Sequence, residues 1–288
     1  MEIADELLGW YRRGARHLPW RSADVTPWAV LVSEVMLQQT PVARVLPVYG
    51  AWLQRWPTPA ALAAASPADA VRMWGTLGYP RRAIRLHECA TVLVERHAGC
   101  VPSRVDALLT LPGIGGYTAR AIAAFAFGQR QPVVDTNVRR VVTRLVDGQV
   151  TRPPTARDLA AVQALLPVDP RVAARVSVAL MELGALICTA RTPRCSECPL
   201  RARCTWRLAG APAAAGPAAR AQRFTGTDRQ VRGLLLAVLR SSAGPVNRAR
   251  LDAVWPDQVQ RERALDGLLA DGLAERRLDG RVGLPGEP

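Results

Sequence analysis

Apolar positions recur at helical spacing through most of the chain, and the breaks fall at proline and glycine. Residues 2–13 read as an amphipathic helix with Ile3, Leu7, Leu8 and Trp10 inward. From Trp28 to Trp56 runs an apolar helical stretch, interrupted near Pro41 and then resumed. The segment SPADAVRMWGTLGYPRRAIRLHECATVLVERH predicts two helices parted at Gly78-Tyr79-Pro80. VDALLTLP and YTARAIAAFAF predict another pair, joined by PGIGG, which cannot continue a helix. ARDLAAVQALLP and DPRVAARVSVALMELGALICT predict two more, the second running into a group of cysteines. An Ala/Pro/Gly-rich linker then spans 208–226, with its low-complexity centre at 211–221. Residues 227–288 predict helices around 228–241, 247–254 and 258–273 and a hairpin turning at Asp279-Gly280. Three helices and a hairpin make a winged-helix-like module, a shape used for DNA binding and for protein contact alike.

Composition sharpens this outline. At 288 residues there is room for one large and one small domain, and 49% apolar content fits a soluble globular chain. No apolar run reaches membrane-spanning length and no signal peptide opens the sequence, so cytoplasmic, nucleoid-associated residence is expected. The formal charge is +14, with 38 basic residues that are all arginine. An arginine-favouring genome explains arginine over lysine but not the surplus over acids; a polyanion such as nucleic acid is the simplest partner.

Candidate chemistry concentrates in LPGIGGYTARAIAAFAFGQRQPVVDTNVRR, residues 111–140. Gly113, Gly115 and Gly116 permit left-handed backbone angles, so the amides opening the next helix can face a phosphate. About twenty residues later Asp135 precedes Thr136 and Asn137 at the mouth of another helix, where it can act on a sugar whose phosphate is held. An αα-hairpin with a glycine turn and an N-cap aspartate is the plain alternative. Glu34 lies among Ala, Val, Leu and Met; buried there it would hold its proton and act as a general acid, whereas on a wet helix edge it would not. Tyr79, followed by Arg81, Arg82 and Arg85, has the makeup of a DNA-intercalating wedge or of a core tyrosine at a helix boundary.

Cys188, Cys195, Cys198 and Cys204 crowd into seventeen residues, while Cys89 and Cys100 stand apart. One thiolate at a helix end and three in a tight loop suit a [4Fe–4S] cluster; structural zinc would call for two separated Cys-x2-Cys knuckles. With every ligand from protein, such a cluster is structural, and Arg191, Arg194, Arg201, Arg203 and Arg207 make its loop a basic surface for phosphates.

SEVMLQQT, GLGY, LPGIGGYTA, VDTNVRRV, MELGALIC and the cysteine spacing together closely resemble the MutY-type adenine DNA glycosylases of the endonuclease III-like helix-hairpin-helix superfamily, over about residues 5–207. The resemblance implies an all-α fold: a glycosylase core over 1–207, made of a six-helix barrel at about 22–130 and a cluster domain built from the N-terminal helix plus 131–207. It implies a monomer acting on double-stranded DNA, with no membrane partner, that excises adenine mispaired with 8-oxoguanine or guanine. By motif, Glu34 would protonate the flipped adenine at N7, Asp135 would steady the oxocarbenium-like sugar, and Asn137 would orient the groups. Tyr117 stands at the family's active-site tyrosine. Trp20, Arg21, Leu37 and Glu182 would line the base pocket, and Gln39 and Tyr79 would wedge into the base stack. Bifunctional relatives carry a lysine where this chain has Tyr117; with no lysine anywhere, strand cleavage through a Schiff base is closed. The chain departs from the family at Pro80, where many members have a second tyrosine, and in lacking a recognisable Nudix-like C-terminal domain. A thymine or uracil mismatch glycosylase of the same superfamily is the enzymatic alternative, although such enzymes typically read Arg-Arg-Thr at the position of Gln38-Gln39-Thr40. A non-catalytic DNA-binding iron–sulfur protein is the other.

Overall fold

The computed structural model describes residues 2–150, 153–213 and 224–287. The centre of the expected linker, 214–223, lies outside them. Regular structure in the described chain is almost wholly helical: α1 (Glu2–Gly14), α2 (Pro27–Leu37), α3 (Val42–Arg55), α4 (Pro59–Ala63), α5 (Pro67–Trp74), α6 (Arg81–His97), α7 (Val105–Leu108), α8 (Gly116–Phe127), α9 (Thr136–Val142), α10 (Arg157–Leu165), α11 (Pro170–Leu186) and α12 (Thr205–Leu208), then α13 (Asp228–Ser241), α14 (Arg248–Asp252) and α15 (Gln258–Ala270). Sheet is confined to β1 (Glu275–Arg276) and β2 (Val282–Gly283), antiparallel, with Val246 bridged to Val282. Several helices start by one device, a side chain that accepts from a first-turn amide: Thr58 from Ala61, Ser66 from Asp69, Asp135 from Val138 and Asp169 from Val172. Proline follows three of these caps at the first helical position, where its missing N–H costs nothing.

The chain divides into two compact units. The first comprises Met1–Leu31, Ser103–Thr110 and Ile114–Ala218. Its core joins α1, α9, α10 and α11 through Leu7, Leu8, Val138, Val142, Val162, Val176, Leu180 and Leu183. As the sequence predicts, Leu7 and Leu8 face inward; Ala4 joins them, with Ile3 and Trp10 packed at the edge of the cluster. Ala121 and Ala124 of α8 meet Ala174 of α11, small residues that let those helices approach closely.

The second unit comprises Val32–Pro102, Leu111–Gly113 and Ala219–Pro288. Trp52 lies edge-on to Trp56 and Trp74, with ring centroids 4.6 and 5.7 Å away. The C-terminal module has its own core of Val231, Leu235, Leu239, Leu265, Leu268 and Val282. The sequence suggests that it stands apart, yet it groups with α3–α6: α13 packs on α5, Arg81 pairs with Asp271 at 3.1 Å, and Arg72 donates to the Ser242 carbonyl at 3.1 Å and to Glu287.

The turn at residues 112–116 differs in detail from the expectation. Only Gly113 takes the left-handed conformation, at φ +76°, and a Cβ there would come within 2.9 Å of the Arg85 Cβ. Gly115 is the extended N-cap of α8 at φ −93°, and Gly116 is the first helical residue. The helix before the turn, α7, closes only one turn, and α4 was not foreseen. Both are too short to show a period.

Candidate active site and cluster loop

Asp135 caps α9 and remains partly exposed. Its Oδ1 accepts from the Val138 amide at 2.7 Å and its Oδ2 from Asn137 Nδ2 at 2.9 Å. Asn137 Oδ1 in turn accepts from Arg140 Nη2 at 2.8 Å, and Arg140 also donates to the carbonyls of Gly184 at 2.7 Å and Cys188 at 2.6 Å. An unbroken set of bonds therefore runs from the Asp135 carboxylate to the first cysteine of the cluster loop. Gly184 is needed for it: a Cβ there would sit 2.7 Å from Asn137 Cβ and 2.9 Å from the Asn137 carbonyl oxygen. Such a carboxylate is aimed before any ligand arrives and keeps a face for a cation.

Sequence reading singled out Asp135 and Asn137 but missed Arg140, Gly184 and Arg144. A signal existed. Asn137, Arg140 and Arg144 lie at i, i+3 and i+7, the spacing of one helical stripe, and a glycine falls within the helical run MELGALIC.

Glu34 is 5% exposed, on α2 beside Val32, Val35 and Met36. The wet-edge alternative is thereby excluded. Tyr117, in the first turn of α8, is half-buried against Ala121, Ala124 and Val133. Trp20 is buried, Leu37 is half-buried at the end of α2, and Gln39 and Tyr79 are exposed.

Glu182 is paired with two arginines of the same unit. It is fully buried in α11, with both oxygens engaged: Oε1 accepts from the Arg16 amide at 3.0 Å and Nε at 2.8 Å, and Oε2 from Arg16 Nη2 at 2.7 Å and Arg21 Nη2 at 3.0 Å. Burial pushes its carboxyl up, but the bonds from Arg16 and Arg21 more than offset this and hold it down at about 2. Glu182 thus anchors Arg21, so two of the residues expected to line the base pocket are bonded to each other.

Cys188, Cys195, Cys198 and Cys204 line one pocket with Ile187, Pro193 and Trp206. Among the described residues no group of three or more His, Cys, Asp or Glu side chains is placed to hold a single metal ion. Four thiols around one pocket, with the spacing of one Cys-x2-Cys pair flanked unevenly, fit a polynuclear cluster better than zinc. Burial, then mutual repulsion, pushes the Cys198 thiol up to about 11 and raises Cys204, while the amides of Leu200, Trp206 and Arg207 donate toward these sulfurs. Arg144, 2% exposed, holds the loop from inside: Nη1 donates to Cys188 Sγ at 3.4 Å and the Thr189 carbonyl at 2.8 Å, Nη2 donates to the Ala190 carbonyl at 3.0 Å, and the guanidinium lies 4.7 Å from the Trp206 ring. The residues suit an iron–sulfur cluster.

Comparison with known proteins now bears on the whole. Residues 32–161 match the HhH-GPD superfamily of base excision DNA repair proteins, and 188–204 match the iron–sulfur binding domain of endonuclease III. The adenine DNA glycosylase of Mycolicibacterium smegmatis is 60% identical over 283 residues, 98% of this chain and 96% of that one. The chain belongs to the adenine DNA glycosylases. A thymine/uracil-DNA glycosylase from Pyrobaculum aerophilum is 38% identical over 69% of this chain and 88% of its own. Among solved structures, that of a thermostable thymine-DNA glycosylase aligns with a TM-score of 0.66 at 25% identity, over 72% of this chain and 96% of that one. The endonuclease III-like all-α fold and the [4Fe–4S] cofactor implied by the sequence both stand. No helix among the described residues is long and apolar enough to cross a membrane.

The glycosylase should therefore be yellow-brown when purified, absorbing near about 400 nm as cubane clusters do. Cys198→Ser should lose most of that absorbance together with folded yield. A colourless wild-type preparation containing stoichiometric zinc would overturn the assignment.

Proposed function

We propose that the glycosylase flips adenine out of A:8-oxoguanine or A:G pairs in double-stranded DNA and hydrolyses its N-glycosidic bond, acting as a monomer and leaving an abasic site. The observation that carries this is the preset Asp135–Asn137 pair at the mouth of α9 in a chain 60% identical to an adenine DNA glycosylase. Glu34 gives its proton to adenine N7, and Asp135 steadies the positive sugar as the base departs, its charge held in place by Val138 and Asn137. Tyr117 stands beside the reacting sugar. Trp20, Arg21, Leu37 and Glu182 line the base pocket, with Glu182 bonded to Arg21. Gln39 and Tyr79 enter the base stack, offsetting the cost of flipping. The turn at Gly113, Gly115 and Gly116 presents the amides that open α8 to a backbone phosphate. Cys188, Cys195, Cys198 and Cys204 hold the cluster. The glycosylase core spans 1–207, a linker 208–226 and a winged-helix-like module 227–288.

The Pyrobaculum relative supports thymine or uracil release as a second reading. Duplexes carrying A:8-oxoguanine, A:G, T:G and U:G, assayed side by side, distinguish the two: adenine release from the first two, with strand breaks only after alkali, is expected. The chain has no lysine, so borohydride should trap no side-chain adduct. Faster release of thymine or uracil than of adenine, or breaks without alkali, would reject the proposal.

A further inference from the structure

Two non-glycine residues that the proposed function sends into the DNA are left-handed in the free protein, Gln39 at φ +53° and Tyr79 at φ +48°. Both side chains are exposed, Tyr79 by 56%. Side chains rarely adopt this conformation, and it persists only where the surroundings over-determine it. One residue does so for both loops. Arg82, on the first turn of α6 and 9% exposed, directs Nη1 at the carbonyls of Val35 (2.8 Å), Met36 (2.9 Å) and Gln38 (2.6 Å). These are the carbonyls that α2 leaves unsatisfied at its C-terminal end and the one just before Gln39. Its Nη2 donates to Thr40 Oγ1 at 2.8 Å, just after Gln39, and to the Gly78 carbonyl at 3.0 Å, just before Tyr79. Trp74 Nε1 donates to the same Gly78 carbonyl at 3.0 Å. The guanidinium lies 5.1 Å from the Trp74 ring centroid and 5.4 Å from that of Tyr79.

We infer that Arg82 is a positioning residue that locks the Gln39 and Tyr79 loops into one preset wedge, so that the two side chains enter the base stack as a unit. The inference rests on the proposed wedge role of Gln39 and Tyr79. A planar fork is what the task requires: bonds to flanking residues on both loops, and a flat face for Tyr79, which a lysine ammonium cannot supply together.

The test uses the cluster-loaded enzyme and a duplex with 2-aminopurine next to the mismatched adenine, whose fluorescence rises on unstacking. Arg82→Lys should keep cluster absorbance and duplex affinity within about twofold, yet lose the unstacking signal and slow single-turnover release about 10- to 100-fold, as a displacement of about 1 Å does elsewhere. Tyr79→Ala should lose the signal as well, and Arg82→Lys combined with Tyr79→Ala should be no slower than the worse single change, since parts of one device do not add. Wild-type unstacking in Arg82→Lys, or additive losses in the double variant, overturns the inference. If Gln39→Ala and Tyr79→Ala themselves leave unstacking and rate unchanged, it is the wedge role that fails. Should Arg82→Lys not fold, Thr40→Val, which removes one acceptor from Nη2, takes its place. A partial loss of signal then supports the inference, and full signal overturns it.

Discussion

Asp135→Asn should abolish adenine release, slowing it by about a thousandfold or more, which is about 4 kcal/mol of lost transition-state stabilisation. Duplex binding should hardly change, because phosphate contacts supply most of that affinity. The substitution is discriminating because asparagine caps helices as well as aspartate does. Its carbonyl can still accept from Val138, where the carboxylate now does at 2.7 Å. What is lost is the charge and the bond from Asn137, whose Nδ2 would face another amide N–H₂ in place of an acceptor. One such loss costs about 1 kcal/mol, so the variant should fold and melt a few degrees lower at most. Single-turnover assays with melting curves separate the two effects. Release within tenfold of wild type would remove Asp135 from the chemistry.

Glu182→Gln should lower stability by about 3–5 kcal/mol, as breaking a buried ion pair from one side does, and so drop the melting temperature by about 10 °C. The estimate leans on Arg21, because Arg16 is 34% exposed in its side chain and water screens its share. The acid dependence follows from the direction of the shift. The carboxyl sits at about 2 in the fold against an ordinary value of 4.5, so its stabilisation is fully present above pH 4.5 and is lost as pH falls through about 2. The gap between wild-type and variant melting curves should be constant from pH 7 to 5 and narrow below 4.5. A gap that stays level down to pH 3, or a variant that melts like wild type but has lost its rate, would mean that Glu182 serves the substrate and not the scaffold.

Local signals were the legible ones. Period 3.6 gave the long helices, proline and glycine marked their ends, and the cysteine spacing with one aspartate before a helix located the chemistry. What escaped was long-range pairing. Arg16 reaches Glu182 across 166 residues of sequence and Arg140 reaches Gly184 across 44, and no window of the chain contains both partners. Glu182 illustrates the limit this sets: a glutamate in an apolar helix gives no local sign of the arginines that neutralise it when they are far away in sequence. Glu34 shows the converse, since its immediate neighbours already made burial one of the two readings.

Arg82, Arg140 and Arg144 share a trait with an evolutionary edge. Carbonyl, hydroxyl, amide or sulfur atoms, rather than a carboxylate, receive their donated hydrogens. Codon bias accounts for arginine on a solvated face, where lysine would serve as well. It does not account for these three, where a four-carbon amine would orphan several backbone oxygens at once. A descendant free to drift back toward lysine could therefore exchange its outer coat but would have to keep guanidinium at 82, 140 and 144.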